Sequence, residues 1–218
     1  MKQIQPDLWE TEVERPAPGL TTHAYLLVRE GGNVLFYNTG HLHEIEKMAE
    51  LGGVAYQYLS HRDELGDSLK LIHDRFATKL GGHVREQAEF ARIRPPDILF
   101  DVREVHLGNI EVVPTPGHSP GSTCFLVRSP HGKTYLFTGD TLYLSEGAAW
   151  QAGYIPGISD RDALGASLEI LREFDPDLVL SSAFAGVAGF QVLDRGQWPG
   201  HVDRALRQLR GGVAPAGD

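Results

Sequence analysis

An apolar run that ends abruptly in a polar loop limits the folds open to this chain more than any other stretch. The run closes at Leu59, and four polar side chains follow almost at once: Ser60, His61, Asp63 and Glu64. Such an order is typical of a buried strand whose carboxyl end opens into a loop, and a helical pattern comes next. Because α/β proteins place their chemistry at strand ends of this kind, we expect a functional site here.

Length and composition favour one globular domain. The 218 residues are 41% hydrophobic and 22% charged, and we assign 1–210 to a single domain and 211–218 to a flexible tail. The net charge of −9 argues against nucleic acid or an anionic membrane as a partner and leaves a small-molecule substrate. No apolar run approaches a membrane span, and the first residues lack the apolar core of a signal peptide, so we expect a cytoplasmic protein. A homodimer is compatible with this composition.

The polar loop contains two side-chain types that bind metals. His61 and Asp63 are two residues apart, so in an extended segment both lie on one side of the backbone. Taken alone, the pair is equally well explained by a surface histidine and a solvated acid. Two later motifs favour a metal: His118 lies in Pro-Gly-His-Ser-Pro-Gly-Ser, and Asp140 lies in Phe-Thr-Gly-Asp-Thr. The only cysteine, Cys124, excludes a cysteine-rich zinc site.

The order and spacing of these three motifs resemble the metallo-β-lactamase superfamily. The resemblance implies a four-layer αββα sandwich, in which two mixed β-sheets pack face to face with helices outside and the site at one rim. Members of that family usually carry His-x-His-x-Asp-His after the first site strand. This chain has His61 in the first position, but Asp63, Leu65 and Gly66 stand where the family has its second His, its Asp and its last His.

The resemblance also implies which metal site survives. The ligand positions of the family's first site are here His61, Asp63, His118 and Asp140. Its second site keeps only Asp140, because Leu65 and Gly66 supply no lone pairs and Ala183 or Phe184 stands where a late His is expected. We therefore expect at most one divalent ion, zinc or iron.

A single site of this kind predicts a metal-dependent hydrolase. The ion would activate a water to attack a small ester, thioester or lactone, with Asp140 and Asp63 as the catalytic carboxylates. Two alternatives stay open. His61, His118 and Asp140 alone make a set that suits mononuclear non-haem iron, as in the persulfide dioxygenases of the same superfamily. The chain could also be a metal-free binding or regulatory domain that has lost catalysis.

Several other side chains are candidates for the pocket or for replacement ligands. His83, Tyr143 and Phe184 are predicted to contact substrate, although a strand-end or core position would explain each of them equally. Four side chains could rebuild the second metal site: His41, His43, Glu64 and Asp67. Asp67 could instead cap the helix that follows it.

Overall fold

A computed structural model describes residues 1–186 and 188–211 of the chain. Its strands are β1 (Lys2–Gln5), β2 (Leu8–Glu10), β3 (Glu14–Ala17), β4 (Leu20–Thr22), β5 (Tyr25–Leu27), β6 (Val34–Phe36), β7 (Tyr56–Tyr58), β8 (Lys79–His83), β9 (Ile98–Phe100), β10 (Glu104–His106), β11 (Ile110–Pro114), β12 (Thr123–Arg128), β13 (Thr134–Gly139), β14 (Leu142–Leu144), β15 (Trp150–Ala152), β16 (Leu178–Ser181), β17 (Ala183–Phe184) and β18 (Phe190–Val192). Its α-helices are α1 (Leu42–Glu50), α2 (Ser68–Phe76), α3 (Gln87–Phe90), α4 (Arg161–Arg172) and α5 (Trp198–Gly211).

Two mixed sheets form the centre of the fold. The first has the order β1-β2-β5-β6-β7-β8-β9, with parallel pairs from β6 to β9 and antiparallel pairs elsewhere. The second has the order β10-β11-β12-β13-β16-β18, with one parallel pair between β13 and β16. The two mixed sheets predicted from the resemblance are therefore confirmed.

The structure adds a small third sheet of order β15-β14-β17-β4-β3. It begins where two strands of the second sheet break: β13 ends at Gly139 and the chain resumes in β14, while β16 ends at Ser181 and resumes in β17. Gly139 has a φ of +54°, a conformation that costs a glycine little. This break lifts the residues after Gly139 out of the sheet and onto its rim.

The main core lies between the two large sheets. Aromatic rings from both sheets meet there, including Phe36 stacked on Phe137 with ring centroids 4.0 Å apart. Both residues are fully buried, as are Tyr25, Tyr58 and Phe125 around them. Rings of this size dominate the burial energy of a core, so this layer fixes the two sheets face to face.

Helices cover the outer faces of both sheets, which completes four layers. On the first sheet, Leu69 of α2 and Phe90 of α3 pack with Leu59 and Leu80. On the second, the apolar stripe of α4 packs against α5, where Trp198 is fully buried. The Asp160 carboxylate caps α4 by accepting the backbone N–H groups of the second and third helical residues at 3.0 Å. Gly211 of the predicted tail still belongs to α5, and 212–218 lie outside the described residues.

Candidate metal centre

Three loops from the two large sheets meet at one rim of the sandwich. The first follows β7 and carries His61, the second joins β11 to β12 and carries His118, and the third follows β13 and carries Asp140. The first two loops are joined directly, because the N–H of Thr123 donates to the carbonyl of Ser60 at 2.9 Å. Residues 22 to 79 positions apart in sequence therefore lie around a common centre.

Each predicted histidine lies within 4 Å of both predicted carboxylates. Nε2 of His61 is 3.8 Å from Oδ2 of Asp63 and 3.6 Å from Oδ2 of Asp140. Nε2 of His118 is 3.7 Å and 3.9 Å from the same two oxygens. His61, Asp63 and His118 also form a group whose ligand atoms lie within 4.8 Å of one another. The structure thus brings together all four residues that the sequence predicted.

Both imidazoles present an unused nitrogen to this centre. Nε2 of His61 and Nε2 of His118 are buried and have no hydrogen-bond partner among the described residues. The two rings are nearly perpendicular, at 89°, with centroids 4.8 Å apart. Buried nitrogens without a partner are costly, and a metal ion between them would remove that cost. Two imidazoles and two carboxylates are a donor set that fits zinc or ferrous iron.

Hydrogen bonds fix each imidazole in the tautomer that a metal requires. Nδ1 of His118 donates to the carbonyl of Gly153 at 2.7 Å, which leaves the lone pair on Nε2. Nδ1 of His61 lies 2.9 Å from the Ser60 hydroxyl, and that hydroxyl donates to Glu64. His61 therefore donates to Ser60 through Nδ1, so Nε2 is the nitrogen that can bind a metal in place of a proton. Metal-binding histidines commonly rely on such outer partners.

The centre has a strongly negative potential. Burial alone lowers the pKa of His61, but the carboxylates of Asp140, Glu64 and Asp63 outweigh it and raise that pKa to about 10. For Asp63, interaction with His118 lowers the pKa of the carboxyl against the opposing effect of burial. A position that favours a proton on Nε2 this strongly will also favour a metal cation there.

Apart from Asp140, the predicted positions of a second metal site carry no ligands. Leu65 and Gly66 belong to the loop before α2, where a Cβ on Gly66 would meet the Asn38 amide at 3.3 Å. At the late position, the backbone N–H of Ala183 donates to Oδ1 of Asp140 at 3.0 Å, and Phe184 stacks on His23 with ring centroids 5.0 Å apart. The Ala183 contact holds one oxygen of Asp140 and leaves Oδ2 facing the histidines.

None of the four predicted replacements adds a ligand to the described cluster. His41 contacts the carbonyl of Val13 at 3.3 Å, and His43 contacts Glu12 at 3.1 Å, both near the start of α1. The Asp67 side chain is 90% exposed and faces Lys70. Glu64 is close, but it supports His61 from the Nδ1 side, at 3.4 Å, and so lies behind the ring.

A cavity of about 810 Å³ opens beside the centre, with His118 and Asp140 in its wall. Tyr143 and Phe184, which were predicted to contact substrate, also line it. His83 does not line this cavity. It is buried at the end of β8, where its Nδ1 accepts the backbone N–H of Arg85 at 3.2 Å. A strand-end position is therefore the reading that the structure supports for His83.

Two glycines are essential to this geometry. A Cβ on Gly117, whose φ is +138°, would lie 2.3 Å from the backbone of Leu164, so only glycine lets the His118 loop pack on α4. A Cβ on Gly153 would lie 1.7 Å from the carbonyl oxygen of Asp140. Sequence reasoning missed Gly153, because the segment around it shares no motif with the three site loops.

An αββα sandwich with a His/Asp cluster at its rim defines a class of proteins, and comparison with known sequences gives the family. The sequence profile of the metallo-β-lactamase superfamily matches residues 36–182. The chain belongs to the metallo-β-lactamase superfamily. A search of curated proteins finds no significant match. No helix in the described part of the chain has both the length and the apolar character needed to cross a membrane.

Solved structures show the same fold at low identity. A Cronobacter sakazakii metallo-β-lactamase mutant, whose name records a HARLDQ motif, is 15% identical, with 92% of this chain and 94% of that chain covered and a TM-score of 0.67. A metallo-β-lactamase superfamily protein of the archaeon Sulfolobus tokodaii is 16% identical, with 97% and 91% covered and a TM-score of 0.66. A metallo-β-lactamase from Pontibacter korlensis is 16% identical, with 96% and 97% covered and a TM-score of 0.71.

Proposed function

We propose that this protein is a metal-dependent hydrolase with a single divalent ion held by His61, Asp63, His118 and Asp140. The observation that carries the proposal is the pair of buried Nε2 atoms, which have no hydrogen-bond partner among the described residues and face two carboxylates. Leu65 and Gly66 have no side-chain ligand atoms at the second-site positions, which supports one ion and not two.

When bound, the ion supplies Lewis acidity and lowers the pKa of a water towards neutrality. The residues of the chain orient this chemistry. Ala183 fixes one carboxylate oxygen of Asp140 and so directs the other to the centre. The Asp63 side chain is 59% exposed and lies 3.7 Å from Nε2 of His118. We assign Asp63 and Asp140 as the catalytic carboxylates, which would hold the ion and the reacting groups in place.

The cavity supports a small organic substrate. Its wall is mainly apolar, with Tyr143, Phe184 and Leu20 among the lining residues, and His118 and Asp140 bring the reactive groups to the same space. A volume of about 810 Å³ is within the range of small-molecule sites. An ester, thioester or lactone of this size is the substrate class that we propose.

A mononuclear iron dioxygenase is the second candidate. It is favoured by one contrast: the side chain of Asp140 is 20% exposed, whereas that of Asp63 is 59% exposed. If Asp63 stays outside the coordination shell, then His61, His118 and Asp140 form the two-histidine, one-carboxylate set typical of non-haem iron.

Paired variants and two assays separate these functions. The protein is loaded with zinc or ferrous iron, then given chromogenic esters or a thiol persulfide under an oxygen electrode. The hydrolase predicts ester turnover that His118→Ala abolishes and His131→Ala, at an exposed turn position, preserves. Oxygen consumption with persulfide and no ester turnover would replace the hydrolase by the dioxygenase. Neither activity, with no metal bound, would make the chain a binding domain.

A further inference from the structure

The wall of the cavity contains one cationic side chain that the proposed chemistry does not use. Apart from His118, the titratable lining residues are Asp140, the tyrosines Tyr143 and Tyr154, and Arg161 at the first position of α4. The rest of the wall is apolar or contains neutral amides. Arg161 is exposed, so a ligand that enters the cavity from solvent can reach its guanidinium.

Two contacts hold the guanidinium in place. It lies over the ring of Tyr154, with its central carbon 4.2 Å from the ring centroid. One terminal nitrogen, Nη1, donates to the carbonyl of Leu209 in α5. Because a stacked and bonded guanidinium has already lost much of its rotamer freedom, it can bind a ligand at a smaller entropic cost.

The charge of Arg161 has no counter-ion in the described part of the chain. None of the ion pairs found among 1–186 and 188–211 involves it, and its Nε and Nη2 have no hydrogen-bond partner there. The neighbouring Asp160 carboxylate is engaged instead with the N–H groups that begin α4. The planar fork of Arg161 is therefore available to an anion.

Arg161 is also fixed relative to the candidate metal centre. The backbone N–H of Asp160 donates to the carbonyl of Gly117 at 2.8 Å, and the hydroxyl of Ser159 donates to the carbonyl of His118 at 2.9 Å. The segment that leads into Arg161 is thus bonded to the loop that carries His118. A ligand that spans both groups would find them at a constant separation.

We propose that the substrate carries a carboxylate that binds Arg161 while its hydrolysable group lies at His118 and Asp140. A carboxylate matches the planar fork of an arginine with two parallel hydrogen bonds. One guanidinium balances one negative charge, so a carboxylate suits this wall better than a doubly charged phosphate. The apolar wall then accommodates a short hydrocarbon segment between the two groups. This inference rests on the proposed hydrolase for its reaction, but the carboxylate subsite can be tested without turnover.

The test uses two esters that differ by one carboxylate, para-nitrophenyl butyrate and mono-para-nitrophenyl glutarate. For the zinc-loaded protein, kcat/KM should be about tenfold or more higher for the glutarate ester, the size expected of a charge-assisted hydrogen-bonded pair. Arg161→Gln should abolish this preference, and Arg161→Lys should restore part of it. Arg195→Gln removes the same charge from a side chain that is 95% exposed, and should keep the preference.

Binding gives an independent readout by calorimetry, with monomethyl glutarate and methyl butyrate as ligands. The subsite predicts that the carboxylate ester binds more tightly and that Arg161→Gln removes the difference, with its unfolding midpoint recorded to show that it is folded. An unchanged difference in Arg161→Gln would mean that the carboxylate binds elsewhere, including at the metal, and would overturn the inference. If neither chromogenic ester is hydrolysed but binding depends on Arg161, the hydrolase is wrong and the carboxylate subsite stands.

Discussion

Replacing Glu64 by Gln should weaken metal binding although Glu64 is not a proposed ligand. Its carboxylate accepts the backbone N–H of Ser60 at 2.8 Å and the Ser60 hydroxyl, and that hydroxyl fixes Nδ1 of His61. The side chain is only 5% exposed, so water cannot readily replace a lost acceptor. A glutamine has one acceptor oxygen for these two Ser60 donors and no charge to polarise His61.

The size of the effect follows from the two roles of this carboxylate. Loss of an outer partner of a metal-binding histidine typically costs about 10–100-fold in metal affinity. A buried donor left without an acceptor costs about 1–3 kcal/mol of folding stability. We therefore expect Glu64→Gln to raise the dissociation constant for zinc about 10–100-fold, and to lower the free energy of unfolding of the metal-free protein by about 1–3 kcal/mol.

The assay is a competition titration of metal-free protein against a chromophoric chelator, with urea unfolding of the same samples. Asp67→Asn is the matched control, because it removes one charge from the same loop at a side chain that is 90% exposed. Zinc affinity in Glu64→Gln within twofold of the parent protein would refute the role assigned to Ser60 and Glu64. An equal loss in Asp67→Asn would show that loop charge alone, and not the contact with His61, sets the affinity.

Three further predictions concern packing and pH. Gly153→Ala places a Cβ 1.7 Å from the carbonyl oxygen of Asp140. Urea unfolding should show that the free energy of unfolding falls by about 1–3 kcal/mol, and the variant should bind less zinc. Gly147 has open space around it, so Gly147→Ala should change neither quantity. Burial lowers the pKa of His23 in the folded protein. Below about pH 6.5, His23 therefore binds a proton more readily in the unfolded chain than in the folded one, and the metal-free protein should lose stability as the pH falls. His23→Gln should reduce that loss in urea titrations across this range, and an unchanged pH dependence would contradict the assignment. Trp198 is fully buried, so Trp198→Ala should cost about 3–5 kcal/mol, and a loss below about 1 kcal/mol would mean that α5 is not packed as described.

The part of the site that could be read from the sequence is the part encoded locally. His61, His118 and Asp140 each come shortly after a strand, and a small residue (Ser60, Gly117 or Gly139) stands directly before each of them, so their place at a strand end can be read from the neighbouring residues. The hairpin of β5 and β6 can be predicted in the same way, because Gly31-Gly32-Asn33 separates two apolar runs, and the two strands do pair. Short-range pattern is sufficient for features of this kind.

The rest of the site depends on contacts between segments far apart in the chain. Gly153 supports His118 across 35 positions, and Arg161 reaches Leu209 across 48. No local pattern marks either residue. His83 shows the limit of local pattern from the other side: it follows two glycines, as a rim residue would, and the structure places it at the end of β8 and outside the cavity wall. The third sheet was missed because it arises from the break at Gly139, which the sequence does not distinguish from an ordinary strand end.

Metal content per chain tests the central claim most directly. The protein is purified without chelator, and zinc, iron and manganese are measured by elemental analysis, before and after incubation with each ion and gel filtration. A single site at His61, Asp63, His118 and Asp140 predicts about one equivalent in the parent protein and less than about a tenth in His118→Ala. Two equivalents would contradict the loss of the second site, and no bound metal, or a full equivalent in His118→Ala, would contradict the centre itself.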